Sequence, residues 1–137
     1  MDLKTKFLGY RVEESVFKMN HLKENAKFAL SPKFTCTIAG GKERFSSTLI
    51  VELNEETSSG GTPFNLKVAL KGEFFIGADV GEDKQKQLKV AVSALFPFLR
   101  AFVSTLTVSC GFPPFLLPMI DVDVMAANLK SEQVIYS

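Results

Sequence analysis

The chain has 137 residues, 46% of them apolar and 23% charged, with a formal net charge of +1. That length suits a single domain, able to bury about 65–70% of its unfolded surface without a disulfide or metal staple. Near-neutral charge and scattered lysines and arginines give no reason to expect nucleic acid or an anionic membrane as partner.

Two cysteines, Cys36 and Cys110, are too few for a disulfide framework and read as free thiols in a reducing compartment. The first residues, MDLKTKFLGY, turn polar before a signal-peptide core forms. No uninterrupted apolar run reaches the ~20 residues that span a bilayer, so membrane insertion is not expected. A cytoplasmic protein is the expectation. Phenylalanine is the odd count, 13 with no Trp, and each supplies large apolar area with no polar atom to satisfy.

Residues 3–19 are strand-like but irregular: Leu8, Tyr10 and Val12 alternate with Phe7, Gly9 and Arg11, then Glu13-Glu14 shifts the phase. A long strand bent at a glycine or bulge fits this pattern. Residues 20–27 are polar and read as a loop or one helical turn. From 28 to 38 the alternation is clean, with Phe28, Leu30, Phe34, Cys36 and Ile38 on one side. Pro32 removes a backbone donor and places that end on a sheet edge. Ala39-Gly40-Gly41-Lys42 reads as a hairpin turn, followed by a strand over 45–53. A polar loop over 54–63 leads to a fourth strand, 64–76, with Phe64, Leu66, Val68, Leu70, Phe74 and Ile76 in phase. Four strands joined in this way predict an antiparallel meander with one covered face.

Asp83 is placed to cap a helix starting at Lys84. Leu88, Ala91, Val92 and Leu95 recur at helical spacing, and Phe96, Leu99, Val103 and Leu106 extend the stripe. Pro97 is expected to kink or split this helix. Phe98, Phe102 and Val108 lie off the stripe, so the helix should pack on two partners, the sheet and another subunit. Cys110-Gly111 stops it. Asp121 or Asp123 can cap a short last helix carrying Val122, Met125, Ala126 and Leu129. The tail, from about residue 131 to 137, is expected to be poorly ordered. The fold class is therefore α+β: one domain over 1–137, a four-stranded antiparallel sheet, and a long and a short helix on one face.

The polar residues assemble no active site. His21, the single histidine, sits in a polar loop with no nucleophile beside it. Cys36 lies on the apolar side of a strand, and Cys110 ends a helix; both read as structural. Asp121 and Asp123 lack the further ligands of a calcium loop, and pairs of zinc ligands are missing. Neither glycine pair belongs to a phosphate loop. No enzyme, no metal and no cofactor are expected.

The remaining signal is apolar. Residues 112–119 carry Phe112, Phe115, Leu116, Leu117 and Met119 among Pro113, Pro114 and Pro118. Loops usually carry polar residues, so this one is either core or the wall of a groove. Prolines hold a non-helical segment open at low entropic cost, which favours a preformed groove for extended peptide.

Three segments carry a family resemblance. KGEFFIGADVG at 71–81, LFPFLR at 95–100 and CGFPPFLLP at 110–118, with IDVD at 120–123, resemble the bacterial export chaperone SecB in order and spacing. The resemblance implies tetramers built as dimers of dimers, the long helix buried between subunits. It also implies ATP-independent binding of unfolded polypeptide along apolar grooves, in protein export. Carried onto this chain, the groove would include Phe28, Leu30, Phe34, Phe112, Phe115, Leu117, Met119 and Met125. The subunit interface would include Phe96, Leu99, Phe102, Val103 and Leu106.

Members that dock on the motor SecA present acids on the outer sheet face. Here the matching positions are Asn65 and Lys67, with Lys71 nearby, and only Glu13 is left as a motor-docking acid. A basic residue in place of an acid repels a basic partner, so SecA binding is in doubt. SecB-like proteins also serve as dedicated chaperones of antitoxins, a second role open to this chain. A third reading is a binding protein for a small apolar ligand or one fixed partner.

Overall fold

The structure, a computed structural model, describes residues 4–20, 31–54 and 62–129 and the backbone of 134–136. The elements in chain order are β1 (Lys6–Met19), β2 (Lys33–Gly40), β3 (Arg44–Leu53), β4 (Phe64–Phe75), α1 (Lys84–Ser109), α2 (Val122–Ala127) and β5 (Val134–Tyr136). The four antiparallel strands and two helices match the expected class.

The strand order is β1-β4-β3-β2-β5. Only β2, β3 and β4 form consecutive hairpins; β1 crosses to pair with β4, so the sheet is not a simple meander. The tail, expected to lack order, supplies β5, which runs parallel to β2 through Ile38–Gly40. The irregular phase of β1 has the cause read from the sequence, namely register shifts between Phe7 and Gly9 and between Val12 and Glu14.

Along β3, burial alternates residue by residue, with Phe45, Ser47, Leu49, Val51 and Leu53 facing inward. α1 covers that face of β2, β3 and β4. Leu88, Ala91, Val92, Leu95, Leu99 and Val103 are fully buried, a single stripe at helical spacing. Each buried leucine and valine of this stripe contributes about 1.5–3 kcal/mol of apolar burial. Gly72 permits the close approach: a Cβ there would lie 2.9 Å from Leu95 Cδ2.

Asp83 caps α1, its carboxylate accepting from the N–H groups of Gln85 and Lys86 at 3.0 and 3.2 Å. Pro97 does not split the helix, which runs unbroken for 26 residues. Proline deprives the carbonyl four residues earlier of its partner, and both Ser93 and Pro97 lie on the exposed side of α1, where water can reach that carbonyl. α1 is long and apolar enough to cross a membrane by length and composition. Its apolar stripe is instead packed against the chain's own sheet.

Candidate binding groove

The last turn of α1 sets the path of the proline loop. Gly111 takes φ +90°, a conformation open to glycine, and turns the chain away from the helix axis. Phe112 N–H then donates to the Thr107 carbonyl at 3.0 Å. Thr107 is fully buried. Its hydroxyl lies 3.1 and 3.0 Å from the Val103 and Ser104 carbonyls, and it accepts from Phe115 N–H at 2.9 Å. This threonine fastens the loop to the helix. The sequence offered no signal for it, since a threonine in an apolar helix is unremarkable until a backbone N–H is seen to reach it.

Phe112 and Phe115 are half-buried and join an aromatic cluster. Phe112 lies 5.7 Å from Phe17 and 5.1 Å from Phe64, and Phe115 lies 6.2 Å from Phe64. Leu117 points fully inward, 2% exposed, within the core. These three residues brace the loop rather than form its open side. The open side belongs to Leu116, 60% exposed, and Met119, 77% exposed.

Next to Met119 lies a groove of about 600 Å³ between β2 and α2. Its apolar lining is Phe34, Cys36, Met119, Ile120, Val124 and Met125, and Lys33, Thr35, Asp121 and Asn128 line the rest. Of the residues named for the groove from sequence, Phe34, Met119 and Met125 meet here. Phe28 and Leu30 lie outside the described residues. Cys36, Ile120 and Val124 were missed as lining: Cys36 was read as core, and the other two depend on how α2 docks.

α2 is held by Asp121, whose side chain accepts from Val124 N–H at 3.1 Å, and by the Lys89–Asp123 ion pair at 3.0 Å. On its other flank, Met119 and Leu116 border a second depression of about 390 Å³, lined also by Phe96, Pro97, Arg100, Ala101 and Ser104. The two depressions share Met119, so an extended segment could lie across both. The lining is apolar with polar margins, suited to burying side chains of an incoming chain.

The residues assigned to a subunit interface divide. Leu99 and Val103 are fully buried and Phe96 is 8% exposed, all within the chain's own core. Phe102 and Leu106 are partly buried. Apolar surface remains exposed beside them at Phe98, whose ring lies tilted 4.6 Å from Tyr10 and 6.0 Å from Phe7 of β1. Leu99 and Val103 were placed at the interface on the family resemblance, yet they continue the stripe of Leu88, Ala91, Val92 and Leu95, and that stripe is the one that meets the sheet.

Glu13 is paired with Arg11 at 3.2 Å, and Glu14 with Lys67 at 3.1 Å. The Lys67 ammonium titrates above its ordinary range because of its hydrogen bond to Glu14 and the charges of Glu14 and Glu52. Burial pushes the Cys36 thiol up to about 11, partly opposed by its contact with Ser47 at 3.1 Å. A thiol so protected is a poor nucleophile. Among the described residues, no cluster of His, Cys, Asp and Glu is arranged to hold a metal ion.

Known proteins agree with this architecture. The family described as preprotein translocase subunit SecB matches residues 14–133. An uncharacterized protein of Methanocaldococcus jannaschii is 30% identical over 131 residues, 91% of this chain and 84% of that one. The protein-export protein SecB of Ehrlichia ruminantium is 32% identical over 106 residues, covering 69% of this chain and 61% of its own length. Among solved structures, the Mycobacterium tuberculosis Rv1957 SecB-like chaperone, in complex with a ChAD peptide from the HigA1 antitoxin, superposes with a TM-score of 0.65. It covers 85% of this chain and 91% of its own at 13% identity, a likeness of fold. On the match over 14–133 and the shared topology, the chain belongs to the SecB family, a family of chaperones rather than enzymes.

Proposed function

We propose that the protein is an ATP-independent holdase that keeps polypeptides unfolded for export, binding them along the groove between β2 and α2. The observation that carries this reading is the exposed apolar rim, with Met119 at 77% and Val124 at 54%, beside a preformed trough of about 600 Å³. Methionine adapts to many side chains, which suits recognition of unrelated sequences. Apolar burial at about 25 cal/mol per Å² supplies the affinity, and repeated grooves around an oligomer would raise it through multivalency.

The assembly is a tetramer built as a dimer of dimers in the cytoplasm. Phe102 and Leu106 lie at its interface together with Phe98, while Phe96, Leu99 and Val103 act through the core beneath. The test is suppression of aggregation of a chemically denatured client in the absence of nucleotide. Slower light-scattering growth at stoichiometric chaperone is expected; an unchanged rate, together with no binding of a permanently unfolded client, would overturn the reading.

The alternative is dedicated protection of one antitoxin. Two observations favour it. The fold neighbour from M. tuberculosis is seen with an antitoxin peptide. On this chain, the one candidate motor-docking acid, Glu13, is already paired with Arg11, which weakens the case for SecA. Affinity purification from the native cell separates the two: one recurrent partner supports the antitoxin role, many exported preproteins the export role.

A further inference from the structure

The sheet has a second surface, opposite α1, and its chemistry differs from that of the groove. Arg11 pairs across from Lys71 and Gly9 from Glu73 on β1 and β4, and Arg44 pairs across from Phe75 on β3 and β4. These positions alternate with buried Leu70, Gly72 and Phe74 and therefore face away from the core. Together they surround an open depression of about 400 Å³ lined by Leu8, Gly9, Tyr10, Arg11, Arg44, Lys71 and Glu73. Three cations meet one anion there, and one of the three, Arg11, is also paired with Glu13 at 3.2 Å. Apolar surface lies among them: Leu8 is 41% and Phe75 is 39% exposed. The Arg44 guanidinium sits 4.4 Å above the Phe75 ring, which fixes it in place while leaving its charge outward.

We propose that this outer face is a docking site for an acidic, partly apolar polypeptide segment of a partner protein, distinct from the unfolded client. Charge complementarity selects the occupant. Arg44 and Lys71 attract carboxylates, Arg11 is shared with Glu13, and Leu8 and Phe75 offer contacts to an apolar residue between them. A nucleic acid fits less well, because Glu13, Glu14, Glu52 and Glu73 interrupt the cations, and a phosphate backbone rewards a continuous basic track. The face lies on the opposite side of the sheet from Phe34 and Cys36, so client and partner can be held at once. This inference does not depend on the holdase reading.

The probe is a fluorescein-labelled peptide of alternating glutamate and leucine, followed by anisotropy with the full-length protein. Its counterpart carries glutamine for every glutamate. The glutamate peptide is expected to bind about tenfold or more tightly than the glutamine one, and to weaken steeply with added salt. Arg44→Glu with Lys71→Glu, both at exposed or half-exposed positions, should cost about tenfold or more while the circular dichroism spectrum stays native. Arg44→Gln with Lys71→Gln provides a milder version if the reversal perturbs folding. Met119→Asp in the opposite groove should leave this binding unchanged. Equal binding of the two peptides, no loss in either double variant, loss on Met119→Asp, or displacement by single-stranded RNA as effective as by unlabelled peptide would each overturn the proposal.

Discussion

Replacing Met119 with serine separates a groove rim from a structural brace. The side chain is 77% exposed and borders both depressions on the helical side of the sheet. Fully burying a methionine is worth about 1.5–3 kcal/mol, and roughly three quarters of that remains to be gained when a client covers it. Met119→Ser should therefore weaken client binding by about 1–2 kcal/mol, or roughly five- to thirty-fold. Folding should change by less than about 0.5 kcal/mol, since little of the side chain is buried in the free protein. Anisotropy with a labelled, reduced and alkylated polypeptide reads the first effect, and urea denaturation reads the second. Unchanged affinity would refute the placement of the groove. A stability loss above about 1 kcal/mol would show that Met119 is covered in the free protein.

Leu99→Ala removes a fully buried side chain from the core under β2–β4. It should destabilise by about 2–5 kcal/mol in urea denaturation, whereas a change confined to oligomer mass would return Leu99 to the subunit interface. Thr107→Val leaves the Phe115 N–H without its 2.9 Å acceptor. It should cost about 1–3 kcal/mol and speed amide hydrogen exchange at Phe115, while unchanged exchange would show that the threonine does not hold the loop.

The Cys36 thiol is raised from 9.0 to about 11, chiefly by burial. The folded protein thus holds this proton more tightly than the unfolded chain, and stability present below pH 9.0 is lost as pH rises towards about 11. Wild type should lose about 2–3 kcal/mol more than Cys36→Ala across that window in paired urea titrations. Parallel curves would exclude Cys36 as the cause.

Much of the fold was legible because it is written in local periodicity. The two-residue alternation of β2, β3 and β4, the cap at Asp83, the stripe from Leu88 to Val103 and the stop at Gly111 depend on neighbours in the chain. The resemblance read from the sequence rests on three such local segments, and the family match extends over residues 14–133. Within the groove, Phe34, Met119 and Met125 were legible as apolar residues on elements expected to converge.

Other features needed the tertiary structure. Closing the β2–β4 hairpins leaves two edges, β2 and β4; β1 takes β4 and β5 takes β2, and the alternation within β1 does not encode that choice. Phe112, Phe115 and Met119 look alike in sequence, yet the phenylalanines are drawn down onto Phe64 and Phe17 while Met119 stays exposed. The turn at Gly111 and the Thr107 hydroxyl fix the loop's height above the sheet, and that height determines which side chains touch the core. Hydrophobicity specifies that a side chain gains by leaving water. Whether its own chain or another covers it depends on contacts between residues far apart in sequence, and those exist only once the chain has folded.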